Sequence, residues 1–129
     1  WDGVRPIRTL PPPDPAHTAG AVRHLIVRPD GGRVQVCGWA NDPAELALPA
    51  GTPAPTTWAS PDGRVFGGLA APDGRGRVVW TGDGTVYLLG ADDKPARTLK
   101  AAGRVLAAAL SADGRLVVTA DADGGLTLF

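Results

Sequence analysis

The feature that most constrains the fold is an internal repeat with a period of 40 residues. GRVFGGLAAPDGRGRVVW (63–80) corresponds without a gap to GRVLAAALSADGRLVVTA (103–120), and DGTVYLL (83–89) corresponds to DGGLTLF (123–129). A sequence that repeats at this spacing predicts an array of similar structural units, each of which packs against its neighbour.

A third and more divergent copy precedes these two. AVRHLIVRPDGGRVQVCGW (21–39) places Val22 eight residues before Asp30, as Val65 stands eight residues before Asp73. The offset to the middle copy is 43 residues, and NDPAELAL (41–48) takes the place of GDGTVYLL (82–89). We therefore treat 1–129 as a single segment of three approximate units, 1–48, 49–89 and 90–129.

Each unit consists of short apolar or alternating runs separated by Asp-Gly pairs. Gly supplies the positive φ that a tight turn needs, and the Asp carboxylate accepts backbone N–H groups across it. A helix over KAAGRVLAAALSA (100–112) is disfavoured, because this stretch contains a Gly and ends in Asp-Gly. The sequence thus predicts an all-β fold of four antiparallel strands per unit, with structural turns at Asp30, Gly31, Asp73, Gly74, Asp113, Gly114, Asp83, Gly84, Asp123 and Gly124.

Five short stretches resemble the WD-repeat β-propeller family: RPDGG (28–32), APDGR (71–75), SADGR (111–115), DGTVYLL and DGGLTLF. The resemblance implies blades of four antiparallel strands. The Trp-Asp pair that ends a repeat in this family is found only as Trp1-Asp2, and a remnant of its Gly-His pair only in AHTAGAV (16–22), where His17 is the candidate for a bracing hydrogen bond. Other propellers with loose Asp-Gly turns, such as bacterial periplasmic and lipoprotein propellers, are an alternative.

Three blades are fewer than the four to eight of closed single-chain propellers. VRPIRTL (4–10) is similar to KPARTL (94–99), and the resemblance implies that this N-terminal strand completes the last blade. We expect either a part of a larger propeller or a half-ring that pairs with a second copy. The absence of methionine and the start at Trp1 favour a processed or excised piece, which we expect to be poorly soluble or to form oligomers.

Charge and cysteine content restrict the classes of partner. The 13 basic and 13 acidic side chains cancel, so the sequence predicts no nucleic-acid partner and no attachment to an anionic membrane. The apolar runs are shorter than a membrane span. The single cysteine, Cys37, excludes an internal disulfide and is expected to be a small buried apolar residue, which fits a cytoplasmic location. The Ala, Gly, Arg and Pro bias suggests a bacterial source.

No combination of residues predicts catalysis or a cofactor. The two histidines, His17 and His24, are too few for a metal site, and Ser60 and Ser111 precede turns. We expect Trp39, Trp58 and Trp80 to be mainly core residues. The candidate partner contacts are Arg64, Arg75, Arg104, Arg115 and Trp58.

These observations favour a non-catalytic scaffold for protein–protein interaction, built of WD-repeat-like blades. Its partner would be another protein or the remaining blades of the same propeller. One alternative is an accessory or gating propeller domain of a larger bacterial enzyme. The other is a self-assembling half-propeller, which would be a homo-oligomer.

Overall fold

The structure, a computed structural model, describes residues 22–28, 31–38, 44–48, 52–55, 60–61 and 65–129. Within these residues the chain forms strands and turns and no helix, so the predicted all-β class is confirmed. The strands are β1 (Val22–Val27), β2 (Arg33–Gly38), β3 (Ala44–Ala47), β4 (Thr52–Ala54), β5 (Val65–Ala70), β6 (Gly76–Thr81), β7 (Thr85–Gly90), β8 (Pro95–Lys100), β9 (Val105–Leu110), β10 (Val117–Asp121) and β11 (Leu126–Leu128).

These strands form three antiparallel sheets in chain order. Sheet 1 contains β1–β4, sheet 2 contains β5–β8, and sheet 3 contains β9–β11 among the described residues. Each strand pairs with the one that follows it, as expected when short apolar runs are joined by tight turns. The stretch 105–110, whose alanines and leucines favour a helix by propensity, is a strand because its neighbours in the sheet override that preference.

The first strand of each sheet carries a bulge at the same place in the repeat. The register shifts between Val22 and His24 in β1 and between Val65 and Gly67 in β5, and the corresponding shift in β9 follows Val105. A bulge bends the strand and increases its twist. Its recurrence after the valine of each unit shows that the sequence repeat is also a repeat in backbone geometry.

The sheets contact one another mainly through their first strands. β1 lies beside β5, and β5 lies beside β9, so sheet 2 is covered on both faces. One core, between sheets 1 and 2, contains Ile26, Cys37, Val65, Val79, Tyr87 and Leu89. The other, between sheets 2 and 3, contains Val78, Trp80, Val86, Ala101, Val105 and Val117. We call the face of sheet 2 that packs on sheet 1 its leading face and the face that packs on sheet 3 its trailing face. The faces of sheets 1 and 3 that carry the corresponding repeat positions take the same names, so sheet 1 packs on sheet 2 with its trailing face.

Several sequence-based expectations fall outside the described residues. The strand at 4–10, His17, Asp30, Trp39, Trp58 and Arg64 belong to this group. The described residues form three antiparallel sheets. That these sheets are blades of a propeller stays a prediction.

Candidate functional site

A buried cluster of charged side chains joins sheet 1 to sheet 2. Arg28, directly after β1, donates from Nη2 to Asp93 Oδ2 at 2.6 Å. Arg77 of β6 lies 3.1 Å from Asp93 Oδ1 and 3.5 Å from Glu45 Oε1, and it donates to Gln35 Oε1 at 2.9 Å. The hydrogen bonds and salt bridges of this cluster therefore connect sheet 1 with sheet 2. Sheet 1 contributes Arg28, Gln35 and Glu45, and sheet 2 contributes Arg77 and Asp93.

Two charged side chains of this cluster, Glu45 and Arg77, are almost completely buried. Glu45 is 2% exposed and Arg77 5%, so neither charge is well solvated by water. Burial opposes the charge on Arg28, but the Asp93 and Glu45 carboxylates together outweigh it and raise the pKa of that guanidinium. Burial lowers the pKa of Arg77 even though Asp93 acts in the opposite direction. Since desolvation is the larger effect at Arg77, the carboxylates beside it are required to hold its charge inside.

We call the packed contact between two successive sheets a junction. At the junction between sheets 2 and 3, the repeat positions that carry the charge cluster are apolar. In the repeat, Arg77 corresponds to Val117, Gln35 to Val78, and Glu45 to Leu88. Val78 and Val117 belong to the core between sheets 2 and 3, and Leu88 packs against it. The junction between sheets 1 and 2 therefore contains charged side chains, whereas the junction between sheets 2 and 3 is apolar at the same positions. Because a buried charge needs a charged partner, sheets 1 and 2 fit each other specifically.

This cluster was missed by sequence reasoning, although a signal for it is present. Arg77 stands directly before the apolar run 78–80 of β6, and Glu45 stands alone between apolar residues in AELAL (44–48). A lone charge in an otherwise apolar strand indicates a buried partner. The partner Asp93 could not have been found in this way, because it lies in a turn and has a positive φ of 60°.

The turns that follow the first strands are built from Asp-Gly pairs. Gly74 and Gly114 have φ values of 71° and 69°, which L-residues with a side chain rarely adopt. Asp73 accepts the N–H of Arg75 at 2.9 Å, and Asp113 accepts that of Arg115 at 3.1 Å. In the third unit, Ser111 also donates to Asp113 at 2.5 Å, and this bond lowers the pKa of the Asp113 carboxyl.

The turns between the second and third strands are braced by different carboxylates in sheets 2 and 3. Asp83 accepts hydrogen bonds from Thr81, Thr85 and Lys100, and the bond from Lys100 contributes most to lowering the pKa of Asp83. In sheet 3 the brace is Asp121, the counterpart of Thr81, which accepts the N–H groups of Asp123 at 3.0 Å and Gly125 at 2.7 Å. The repeat conserves the turn and not the residue that supports it.

Two clefts open at one end of the sheets, where the turns after the first strands lie. A cleft of about 170 Å³ between sheets 2 and 3 is lined by Asp73, Arg75, Val78, Leu88, Leu110 and Gly114, among others. A second, of about 150 Å³, lies beside the buried charge cluster and is lined by Arg28, Gly74, Arg77, Gly90 and Asp93, among others. We call this end, with its two clefts and the turns that carry Arg75 and Arg115, the turn end.

The candidate partner contacts do not all lie at this end. Arg75 and Arg115 are exposed in turns of the turn end. Arg104, which precedes β9, lies at the opposite end and stacks over Phe66 at 4.7 Å from the ring centroid. Arg64 and Trp58 are not among the described residues. Of the three arginines that are described, two therefore share a surface, and the third contacts the neighbouring sheet.

Two residues with reactive or metal-binding side chains, Cys37 and His24, lie in packed surroundings. Burial raises the pKa of the Cys37 thiol to about 12, so the thiol is neutral at physiological pH. His24 meets the ring of Trp80 edge-on at 5.3 Å, in the space left by Gly67, and Trp80 is 1% exposed. In the described part of the chain, no group of three or more His, Cys, Asp and Glu side chains is placed to hold a metal ion.

Comparisons with known proteins add no family. No protein-family model matches the chain, and no curated protein matches it. Over the residues that the structure describes, no helix is long and apolar enough to cross a membrane.

Proposed function

We propose that this protein is a non-catalytic protein–protein interaction scaffold built of WD-repeat-like propeller blades. The observation that carries the proposal is the recurrence of one sheet-to-sheet relation, in which β1 lies beside β5 and β5 beside β9. Sheets that meet through their first strands, with a bulge at the same position, are the arrangement expected for successive blades. The resemblance to WD repeats supports the same interpretation.

In this proposal, the missing fourth strand of the last blade is the segment 4–10. β8, whose sequence PARTL (95–99) is similar to PIRTL (6–10), pairs with β7 through Val86 and Leu99. β11 is the counterpart of β7 and has only β10 beside it within the described residues. Residues with the same sequence pattern are suited to pair with β11 in the same register.

The surface that suits a protein partner best is the turn end. Its side chains stand on turns held by rigid sheets, which is where binding residues are commonly found. Arg75 lines the 170 Å³ cleft together with Val78, Leu88 and Leu110, and Arg115 directly follows Gly114 at its edge. An apolar side chain of a partner in this cleft, with a carboxylate near either arginine, would combine the two contacts that dominate protein interfaces.

Affinity capture with charge-reversed bait tests this function. The doubly substituted chain Arg75→Glu/Arg115→Glu is compared with the unchanged chain, and the captured proteins are quantified for both. The matched control is Arg23→Glu, because Arg23 is exposed near the start of β1, at the end of the sheets opposite to the turn end. We expect at least one protein to be captured by the unchanged chain and by the control, and to be lost with the double variant. An identical set of proteins for all three baits would contradict the proposal.

A further inference from the structure

We propose that the trailing face of sheet 3 binds the leading face of sheet 1 in a second copy of this chain. This inference rests on the proposed blade arrangement and names one partner of the scaffold. It follows from which apolar side chains are exposed, from the repeat that relates them to buried ones, and from the chemistry of the two faces.

The trailing face of sheet 3 is the repeat counterpart of a buried face. On sheet 2, the trailing face contains Val78, Trp80 and Val86, which are at most 3% exposed because sheet 3 covers them. Their counterparts on sheet 3 are Val118, Ala120 and Leu126, and those of the half-buried Phe66 and Leu88 are Leu106 and Leu128. Leu106, Leu126 and Leu128 are 53%, 76% and 64% exposed.

The strand register places these side chains on one surface. Val118 pairs with Leu128 and with Ala109, and Ala120 pairs with Leu126 and with Ala107. Residues paired across antiparallel strands share a face, so these six form one apolar patch opposite the face that packs on sheet 2. An apolar patch of this kind indicates an interaction surface.

The leading face of sheet 1 supplies the complementary surface. Leu25 and Val27 of β1 are 56% and 53% exposed and point away from Ile26, which packs against sheet 2. Their counterparts in sheet 3, Ala108 and Leu110, pack against the core that sheet 3 shares with sheet 2. In the part of the chain that is described, the exposed large apolar side chains belong to sheet 1, to sheet 3 and, in the case of Leu116, to the turn before β10.

The exposed part of sheet 1 is the part that such a contact needs. Val34, Val36 and Leu46 of the same face are already buried and form a cluster with Leu48. In the other junctions the strands that lie side by side are mainly first strands, β1 beside β5 and β5 beside β9, and side chains of the second and third strands complete the cores. β1 of a second copy is therefore free to lie beside β9.

The residue at the position of Arg77 decides which sheet fits. The leading face of sheet 2 carries Arg77 there, which requires Glu45 and Asp93 beside it. The leading face of sheet 1 has no charge to satisfy there, because the position is occupied by Val34, which is already buried with Val36 and Leu46. The trailing face of sheet 3 offers Val118 and Leu128 at the positions of Gln35 and Glu45, and so it matches a leading face without a charge.

A contact between two different faces is heterologous, and it must either close or continue. Each copy offers the leading face of sheet 1 and the trailing face of sheet 3. Two copies can therefore make two equal junctions with each other. Six sheets lie within the range in which propellers close. The inferred assembly is therefore a closed pair of chains.

Light scattering coupled to size-exclusion chromatography tests the pair with two variants. The head variant is Leu25→Asp/Val27→Asp, and the tail variant is Leu126→Asp/Leu128→Asp. The control is Ala102→Asp/Ala112→Asp, which introduces the same charge at exposed turn positions. We expect the unchanged chain and the control to have twice the mass of one chain, and the head and tail variants to have the mass of one.

The decisive sample is an equimolar mixture of the head and tail variants. One intact trailing face and one intact leading face remain in it, so we expect the doubled mass to return in a one-to-one complex. Circular dichroism of each variant verifies folding. If a variant is unfolded, the test is repeated with Leu126→Thr/Leu128→Thr or Leu25→Thr/Val27→Thr.

Three results would overturn the inference. They are a monomeric unchanged chain, a pair that is lost in the tail variant and kept in the head variant, and an open series of larger species. The second would mean that sheet 3 contacts sheet 3. None of these results concerns the turn end, so the capture experiment with Arg75 and Arg115 variants decides the proposed function separately.

Discussion

Arg28 and Asp93 are 65 positions apart in the chain, and their side chains meet at 2.6 Å. Arg28 follows the first strand of sheet 1, whereas Asp93 lies in the turn between the last two strands of sheet 2. This contact and the salt bridge from Arg77 to the other Asp93 oxygen make one turn residue the link between two sheets.

Removing the Asp93 charge should destabilise the protein strongly. Asp93→Asn keeps the size of the side chain and its tolerance of positive φ, but it leaves the buried Arg77 without one carboxylate. Breaking one partner of a buried pair costs about 3–5 kcal/mol in the free energy of unfolding. Urea unfolding measures the loss. Asp92→Asn is the control, because Asp92 is mostly exposed and we expect a change below about 1 kcal/mol. Equal effects of the two substitutions would contradict the assignment.

Replacing the charged junction by the apolar one should restore stability. Glu45→Leu alone is expected to cost about 3 kcal/mol, because Arg77 stays buried beside fewer carboxylates. The triple variant Gln35→Val/Glu45→Leu/Arg77→Val installs the residues of the next junction and leaves Arg28 paired with Asp93. We expect it to unfold within about 1 kcal/mol of the unchanged chain. A triple variant as unstable as the single one would show that the junctions are not equivalent.

Substitution of either brace carboxylate, Asp83 in sheet 2 or Asp121 in sheet 3, should destabilise the protein. Asp83→Ala removes three side-chain bonds in sheet 2, and Asp121→Ala removes two backbone N–H bonds in sheet 3. Each is expected to cost about 1 kcal/mol. Asp123→Ala is the matched control, because Asp123 stands at the position of Asp83 but does not brace its turn. Thermal unfolding of the three variants would refute this assignment if Asp123→Ala were the most harmful.

The turn of sheet 2 should also lose stability in acid. The pKa of Asp83 is lowered in the folded state, first by Lys100 and then by Thr81. Its contribution is therefore complete above the ordinary Asp pKa of about 4 and is lost as the pH falls through the lower folded value. Urea midpoints between neutral pH and about pH 2 should fall less steeply for Lys100→Gln than for the unchanged chain. Parallel curves for the two proteins would mean that the Asp83–Lys100 pair contributes nothing to the pH dependence of stability.

The sequence was sufficient to predict the strands, because the apolar runs and Asp-Gly pairs act locally. The turn at Gly74 and the strand at 105–110 follow from neighbours a few residues away. The charge cluster could not be predicted, since its stability depends on residues from both sheets. Arg77 and Glu45 are visible as exceptions in apolar strands, but their common partner is defined only by the packing of sheet 1 on sheet 2.

The brace residues show a second limit of reasoning from repeats. Asp83 and Asp123 align at the period of 40 residues, and yet only Asp83 is bonded across its turn by three side chains. The difference arises because Thr81 is replaced by Asp121, whose carboxylate accepts the backbone N–H groups of Asp123 and Gly125. Equivalent positions therefore need not have equivalent roles.

The most direct test of the account is a crystal structure of the whole chain. The proposed blade arrangement predicts three sheets around a common axis, with β1, β5 and β9 nearest to that axis and each trailing face covered by a leading face. A structure in which the sheets stack as a sandwich, or in which β4 or β8 lies nearest to the axis, would contradict it.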